Sequence, residues 1–502
     1  MLLAALALIS CGQLTDREST TSSDPLIIGV PEGTTGQPDA GVEQLANEIV
    51  LEGLTQVGID GRAMPRLAQE WSWEADDRER ADRRLRIKLR NDVYLHDGRH
   101  FDAQLAAEAL AVALASGGNR AGYPALTLIT AARPTGEFEL VLDLSDSASL
   151  IPEDLTVPLD IPVGPYREVN RAGNTIEFER FDRYYLGRPS ISHVTLRPFD
   201  TLRTTWASLL RGELDMVYDV PADAIDFIRN DDVQVISVPR WYQFVVAFNS
   251  GRSPFQSRLV RQALNLAVNR QALIDNVLEG GGLPSAGPIW PRNWAYDKSI
   301  PPVPFDPAQA AALLDAAGFP LPDTRGDSPV APARLRFVCL IPENFSVWER
   351  IALYVQRDLF NVGVDMQFKV VPFLEYNQLI AAGQFDAALI DLISGPTAER
   401  PYIFWRSAAK FKGAFNIFGY ENVAAERAFN VLLSSTNEAA ARSATSRLQR
   451  VMIDDPPALF LAWNERARAL RRDIVIPNRA GQDPMWTLWS WSRAPLGGAS
   501  TE

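Results

Sequence analysis

Residues that usually carry chemistry are scarce in this chain of 502 residues, which holds two cysteines and three histidines. Cys11 and Cys339 cannot build a disulfide framework, and no Cys/His spacing suits zinc. His96 and His100 have helical spacing, but His96-Asp97-Gly98 reads as a turn, so no metal site is assigned. The sequence has no Gly-x-Ser-x-Gly elbow, no phosphate-binding or dinucleotide glycine loop, and no His-Glu-x-x-His. Paired carboxylates such as Asp76-Asp77 and Asp454-Asp455 say little in an acidic chain. The reading is therefore a protein without catalysis or cofactor. A net charge of −13 argues against nucleic acid as a partner.

A content of 46% apolar and 22% charged residues belongs to a globular protein, and the length exceeds one ordinary core, so two or three lobes are expected. Ten of the twelve tryptophans follow residue 200, among them Trp241, Trp290, Trp405 and Trp463. Indoles give large contact area with few rotamers to freeze, which suits a closing pocket. Leu26–Val30 reads as a strand, and the loop after it, with Glu32, Gly33 and Thr34, is a candidate contact because ligands collect at the carboxyl ends of strands. From Leu335 to Leu389 strands and helices alternate with short connections, as a parallel-sheet lobe requires.

The organising stretch is Trp241–Gly280. Phe244–Phe248 is strand-like, Asn249-Ser250-Gly251 turns, and Val260, Ala263, Leu264, Ala267 and Val268 form the stripe of an amphipathic helix. Its wording, Phe248-Asn249, Pro254-Phe255, Val260 to Leu264 and Ala267 to Arg270, resembles the extracytoplasmic solute-binding proteins of ABC transporters, in the peptide/nickel family. Further similar phrases are Glu52-Gly53-Leu54, Pro65 to Ala68, His96-Asp97-Gly98, Gly164-Pro165-Tyr166, Tyr184-Tyr185 and Asp306-Pro307. The resemblance implies an α/β fold of the periplasmic-binding-protein type II kind, with two α/β lobes around a hinge plus an extra subdomain. The implied division is 25–40 with 188–250 and 478–502 for lobe I, 41–187 for the subdomain and 251–477 for lobe II. Chain crossings are expected near residues 190 and 480. The implied function is capture of a small peptide-like solute and delivery to a permease. A sensor or structural lipoprotein of the same fold is the alternative.

The aromatic content makes Trp241, Trp405 and Trp463 candidate ligand contacts, with Tyr242 and Gln243 beside the first, and the resemblance adds Arg350, Asp391, Leu392, Ile393, Ser394 and Gly395. Relatives that bind peptides carry an Asp for the peptide's amino terminus where this chain has Gly395. Asp391 or Glu399 is left as a substitute, or the ligand has no free α-amine. Arg350 stands where dipeptide binders hold a carboxylate. At the start, Leu8-Ile9-Ser10-Cys11 resembles the bacterial lipobox, with a Ser/Thr-rich tether through Asp24 after an apolar segment at 1–10. A monomer held to the cell envelope or periplasmic face by a lipid on Cys11, with permease and ATPase subunits as partners, is expected.

Overall fold

The computed structural model describes residues 25–31, 40–74, 84–116, 122–146, 150–221, 224–322, 333–398, 400–407, 416–435, 437–477 and 483–494. The expected residues Cys11, Glu32, Gly33, Thr34 and Glu399 lie outside them. Strand β1 (Leu26–Pro31) is apolar along its length because both of its faces are covered, as parallel strands require.

After the helix Ala40–Val50 the chain builds a small subdomain. Here β2 (Thr55–Val57) pairs with β3 (Ala63–Pro65). The strands β4 (Ala68–Trp73), β5 (Arg84–Leu89), β6 (Ile129–Gly136) and β7 (Glu139–Leu144) form an antiparallel sheet in the order β4-β5-β7-β6. Leu85, Ile87 and Leu89 alternate onto one face with Leu140 and Leu142, sharing a core with the helix Ala103–Ala115. That helix starts where Asp102 accepts the Leu105 N–H (2.8 Å).

While Ile474–Val475 and Ser492–Arg493 pair separately, ten further strands make one sheet with β1. They are β8 (Tyr166–Ala172), β9 (Thr175–Arg180), β10 (His193–Phe199), β11 (Met216–Pro221), β12 (Val233–Phe248), β13 (Gly282–Pro284), β14 (Leu335–Pro342), β15 (Val364–Val371), β16 (Ala387–Ile393) and β17 (Ala458–Arg471). The order is β15-β14-β16-β12-β17-β11-β1-β10-β9-β8, with β13 added to β17. β8 and β9, which sequence grouping puts in the subdomain, extend this sheet because Ile176 and Phe178 belong to the core of β1. The helices Ser346–Phe360 and Phe373–Ala381 connect the parallel strands β14, β15 and β16.

Two strands run through both halves of the sheet. In β12, residues 233–239 pair with 465–471 of β17, and residues 243–247 with 458–463, with a register shift between Pro239 and Gln243. On one side of that shift Val233 joins the core of β11; on the other, Phe244, Val246 and Phe248 enter the core under Ser346–Phe360, while Val245 and Ala247 enter the opposite one.

The phrases that carry the family resemblance act as structural clamps. Arg270 is fully buried and donates to the carbonyls of Phe460 (2.6 Å) and Asn265 (2.8 Å), and to Asn265 Oδ1 (2.8 Å). Burial alone pulls its guanidinium down to about 10. Arg261 holds the carbonyls of Pro456 and Phe255 and the carboxylate of Asp455. Both arginines thereby fix the start of β17 to the helices Arg258–Leu266 and Arg270–Val277. Asn249 donates to the carbonyls of Gly383 and Phe385, closing the far end of β16. Glu52 accepts from Arg66 (2.6 Å), Tyr184 (2.7 Å) and Tyr185 (2.6 Å), tying the subdomain to the segment that precedes β10. Gly164 belongs to the same tie: a Cβ there would lie 2.1 Å from the carbonyl oxygen of Ile49.

Candidate functional site

The shift in β12 interrupts strand pairing between Pro239 and Gln243, and interrupted pairing exposes backbone and re-aims side chains. Five segments meet there. Trp241–Gln243 of β12 lies beside the end of β16, where the Trp241 carbonyl accepts from the N–H groups of Ser394 (2.9 Å) and Gly395 (3.1 Å). Gln243 stands opposite Leu392 on one side and Trp463 of β17 on the other, so these three side chains share a face. The loop after β13 supplies Ser285 and Trp290, and the 3₁₀ segment Pro484–Ser490 supplies Trp486, whose ring centre is 5.8 Å from that of Trp241.

Gln243 is fully buried, and its Nε2 donates to Ser285 Oγ and to the Gly287 carbonyl, each at 2.8 Å. Its Oε1 accepts nothing. Buried polar atoms are nearly always paired, so an unpaired one is a place where a water or a solute atom can be accommodated. Trp241 Nε1, Ser394 Oγ, Thr397 Oγ1 and Trp463 Nε1 are also buried and unpartnered. All five atoms are neutral, and they belong to segments in direct contact. The charges nearby are paired: Arg292 donates to Glu465 (2.9 Å), and Arg466 holds Asp219 through two bonds (3.0 and 2.5 Å).

Gly395 stands tightly between two indole side chains. A Cβ on it would lie 3.3 Å from Trp241 Cβ and 3.4 Å from Trp290 Cβ, so a carboxylate side chain would meet crowding here.

Of the expected contacts, the structure brings together Trp241, Tyr242, Gln243, Leu392, Ile393, Ser394, Gly395 and Trp463. Asp391 stands opposite Phe244, on the sheet face covered by Ser346–Phe360, and that helix also carries the half-buried Arg350. Asp391 therefore faces away from Gln243, Leu392 and Trp463. Trp405 is not part of the group: it is buried in a core, stacked on Phe418 (5.4 Å between centres) and edge-on to Phe460 (5.7 Å). Sequence reasoning missed Ser285, Thr397 and Trp486, since nothing in their local pattern separates them from ordinary loop residues. His96 and His100 also separate: His96 Nε2 donates to the Gly164 carbonyl (2.9 Å) and His100 Nε2 to the Asn91 carbonyl (3.0 Å).

An open groove of about 730 Å³ lies where the subdomain meets the loop after β13, lined by Asp60, Asn293, Trp294 and Arg442 among others. No helix among the described residues is long and apolar enough to cross a membrane.

Comparison with known proteins agrees with this architecture. A glutathione-binding protein of Pectobacterium atrosepticum is 25% identical over 448 residues, 82% of either chain. A Campylobacter jejuni protein solved with Ni(L-His) superposes with a TM-score of 0.77 at 20% identity, covering 94% of this chain and all of the other. The oligopeptide-binding protein of Bacillus subtilis, solved with a nonapeptide, gives 0.72 at 20% identity, covering 94% and 99%. At these identities the superpositions establish the fold. The model of the bacterial extracellular solute-binding proteins, family 5, matches residues 62–413, and with it the chain belongs to that family, whose members are the binding components of ABC importers and not enzymes.

Proposed function

We propose that the solute is held where β12, β16 and β17 meet, and that the part of it seated there is an uncharged, peptide-like segment. The observation that carries this reading is the set of five buried, unpartnered, neutral polar atoms on Trp241, Gln243, Ser394, Thr397 and Trp463. Amide or hydroxyl groups of a solute would satisfy them, and indoles would cover its apolar parts. A buried ammonium would need a carboxylate, because an unpaired charge in a dry site costs several kcal/mol. The crowding at Gly395 disfavours one at that position. The relatives' solutes, glutathione and a nonapeptide, make peptide-like chemistry the first class to try.

In this reading the hinge lies at Pro239–Gln243 and Trp463–Glu465, where both long strands change cores, in place of crossings near 190 and 480. A solute touching both sides favours the closed form by its differential affinity, and a membrane permease with its ATPase subunits receives that form. The protein acts as a monomer at the extracytoplasmic face, held there by a lipid on Cys11. Titration calorimetry with free and N-acetylated di- to pentapeptides tests the solute class. Acetylated peptides are expected to bind at least as tightly as free ones. Tight binding of free peptides that acetylation abolishes would refute the uncharged-segment reading.

A further inference from the structure

The small subdomain is held on two sides. Toward β10 it is held by the buried Glu52, Arg66, Tyr184 and Tyr185 cluster. Toward the half of the sheet containing β16 it is held by a set of polar contacts around one turn and by a small buried apolar cluster at Leu150. The polar contacts centre on the turn Gly58–Arg62. The Asp60 carbonyl accepts the Trp294 N–H (2.8 Å). Gly61 has φ +83°, a conformation that suits glycine, and a Cβ on it would fall 2.4 Å from the Pro396 oxygen and 2.6 Å from Asn293 Nδ2. Asn293 itself donates to that Pro396 oxygen (2.7 Å). Arg62 pairs with Glu438 (2.5 and 3.2 Å) and lies 4.8 Å from the Trp294 ring centre; Arg442 lies 5.0 Å from the same ring. Beside them Leu150 of the subdomain packs on Ala295, Ala398, Leu432, Ala441 and Ala444.

This contact is one residue from the solute site. Pro396 follows Gly395, and Thr397, with its unpartnered hydroxyl, comes next. Asn293 and Trp294 follow Trp290, which packs against Gly395. The two segments that wall the site from this side are therefore the two that the turn grips.

We propose that the turn Gly58–Arg62 is a positioning element of the solute site: by gripping Trp294, Asn293 and Pro396 it holds the site's wall in place, and so sets how long a solute stays. The proposal rests on the solute site assigned above. None of the turn's residues touches the solute; they act through Trp290, Gly395 and Thr397. Loss of the grip therefore raises the dissociation rate and leaves association nearly unchanged.

The test is stopped-flow tryptophan fluorescence with N-acetyl-tetra-alanine amide and with glutathione as probes, on the full chain and on Arg62→Ala, Arg62→Lys and Gly61→Val. Arg62→Ala and Gly61→Val are expected to speed dissociation about tenfold, the effect of losing roughly 1.4 kcal/mol from the bound state. Arg62→Lys, which keeps the charge but not the planar fork, is expected to fall between. The melting temperature of the ligand-free protein is expected to stay within a few degrees of the parent. Unchanged dissociation in both severe variants overturns the proposal. Failure of the parent to bind either probe would count against the solute class and not the turn. The turn is then read from small-angle scattering of the ligand-free proteins, where Gly61→Val is expected to be more expanded than the parent, and equal dimensions overturn the proposal.

Discussion

Gln243→Leu separates a core role for Gln243 from a binding role. In the ligand-free protein the amide makes two hydrogen bonds of 2.8 Å, to Ser285 Oγ and the Gly287 carbonyl. Each contributes about 1 kcal/mol net, so their loss costs roughly 2 kcal/mol. Ser285 Oγ still donates to the Gly287 carbonyl (3.0 Å), which limits the damage. Against this, the substitution removes a buried, unpartnered Oε1, whose desolvation costs about 1–3 kcal/mol. The two effects nearly cancel, and the ligand-free stability is expected to change by only about 1 kcal/mol. Binding loses the bond that a solute donor makes to Oε1, on the order of 1.5–3 kcal/mol, or tenfold to more than a hundredfold in affinity. Urea unfolding gives the first quantity and calorimetry the second. A ligand-free destabilisation beyond 3 kcal/mol with unchanged affinity would refute the argument.

Three other outcomes are expected. Burial pushes the Glu153 carboxyl up to about 8, and the charge of Asp154 adds to the shift while Arg62 opposes it. Its proton-linked stability is full below the ordinary carboxylate range and is lost as pH rises toward 8, so Glu153→Gln should raise the melting temperature more at pH 8 than at pH 5, and an equal effect at both would contradict this. Arg270→Met removes the donors to the Phe460 and Asn265 carbonyls and to Asn265 Oδ1 and should destabilise by about 3 kcal/mol in urea unfolding; a neutral effect would deny the clamp its role. Cys11→Ser should move the full-length protein from the membrane fraction to the soluble one, and unchanged partitioning would remove the lipid anchor.

Local patterns announced most of the elements. The helix Ala103–Ala115 and the strands near Leu85, Leu335 and Asp365 follow apolar periods that tertiary packing did not override. The crossing point was not legible, because the β-branched and aromatic residues before and after Pro239-Arg240 read alike as strand while the strand changes cores between them. Nor was β17, in which an apolar run gives way to Arg466 and Arg468, whose partners Asp219 and Asp483 lie outside the strand. For the site, neighbouring strands bring Trp241–Gln243 and Leu392–Gly395 together. Trp405 misled because a tryptophan in a core and one in a pocket have the same sequence signature. Asp391 was placed by wording rather than by strand parity, which puts it on the face opposite Leu392.

The structure of the protein with the solute it retains on isolation tests the central claim most directly. The account predicts density at the meeting of β12, β16 and β17, within hydrogen-bond reach of Gln243 Oε1 and Ser394 Oγ, with no charged group of the solute facing Gly395. Solute seated instead in the groove beside Trp294, or an ammonium against Gly395, would contradict it.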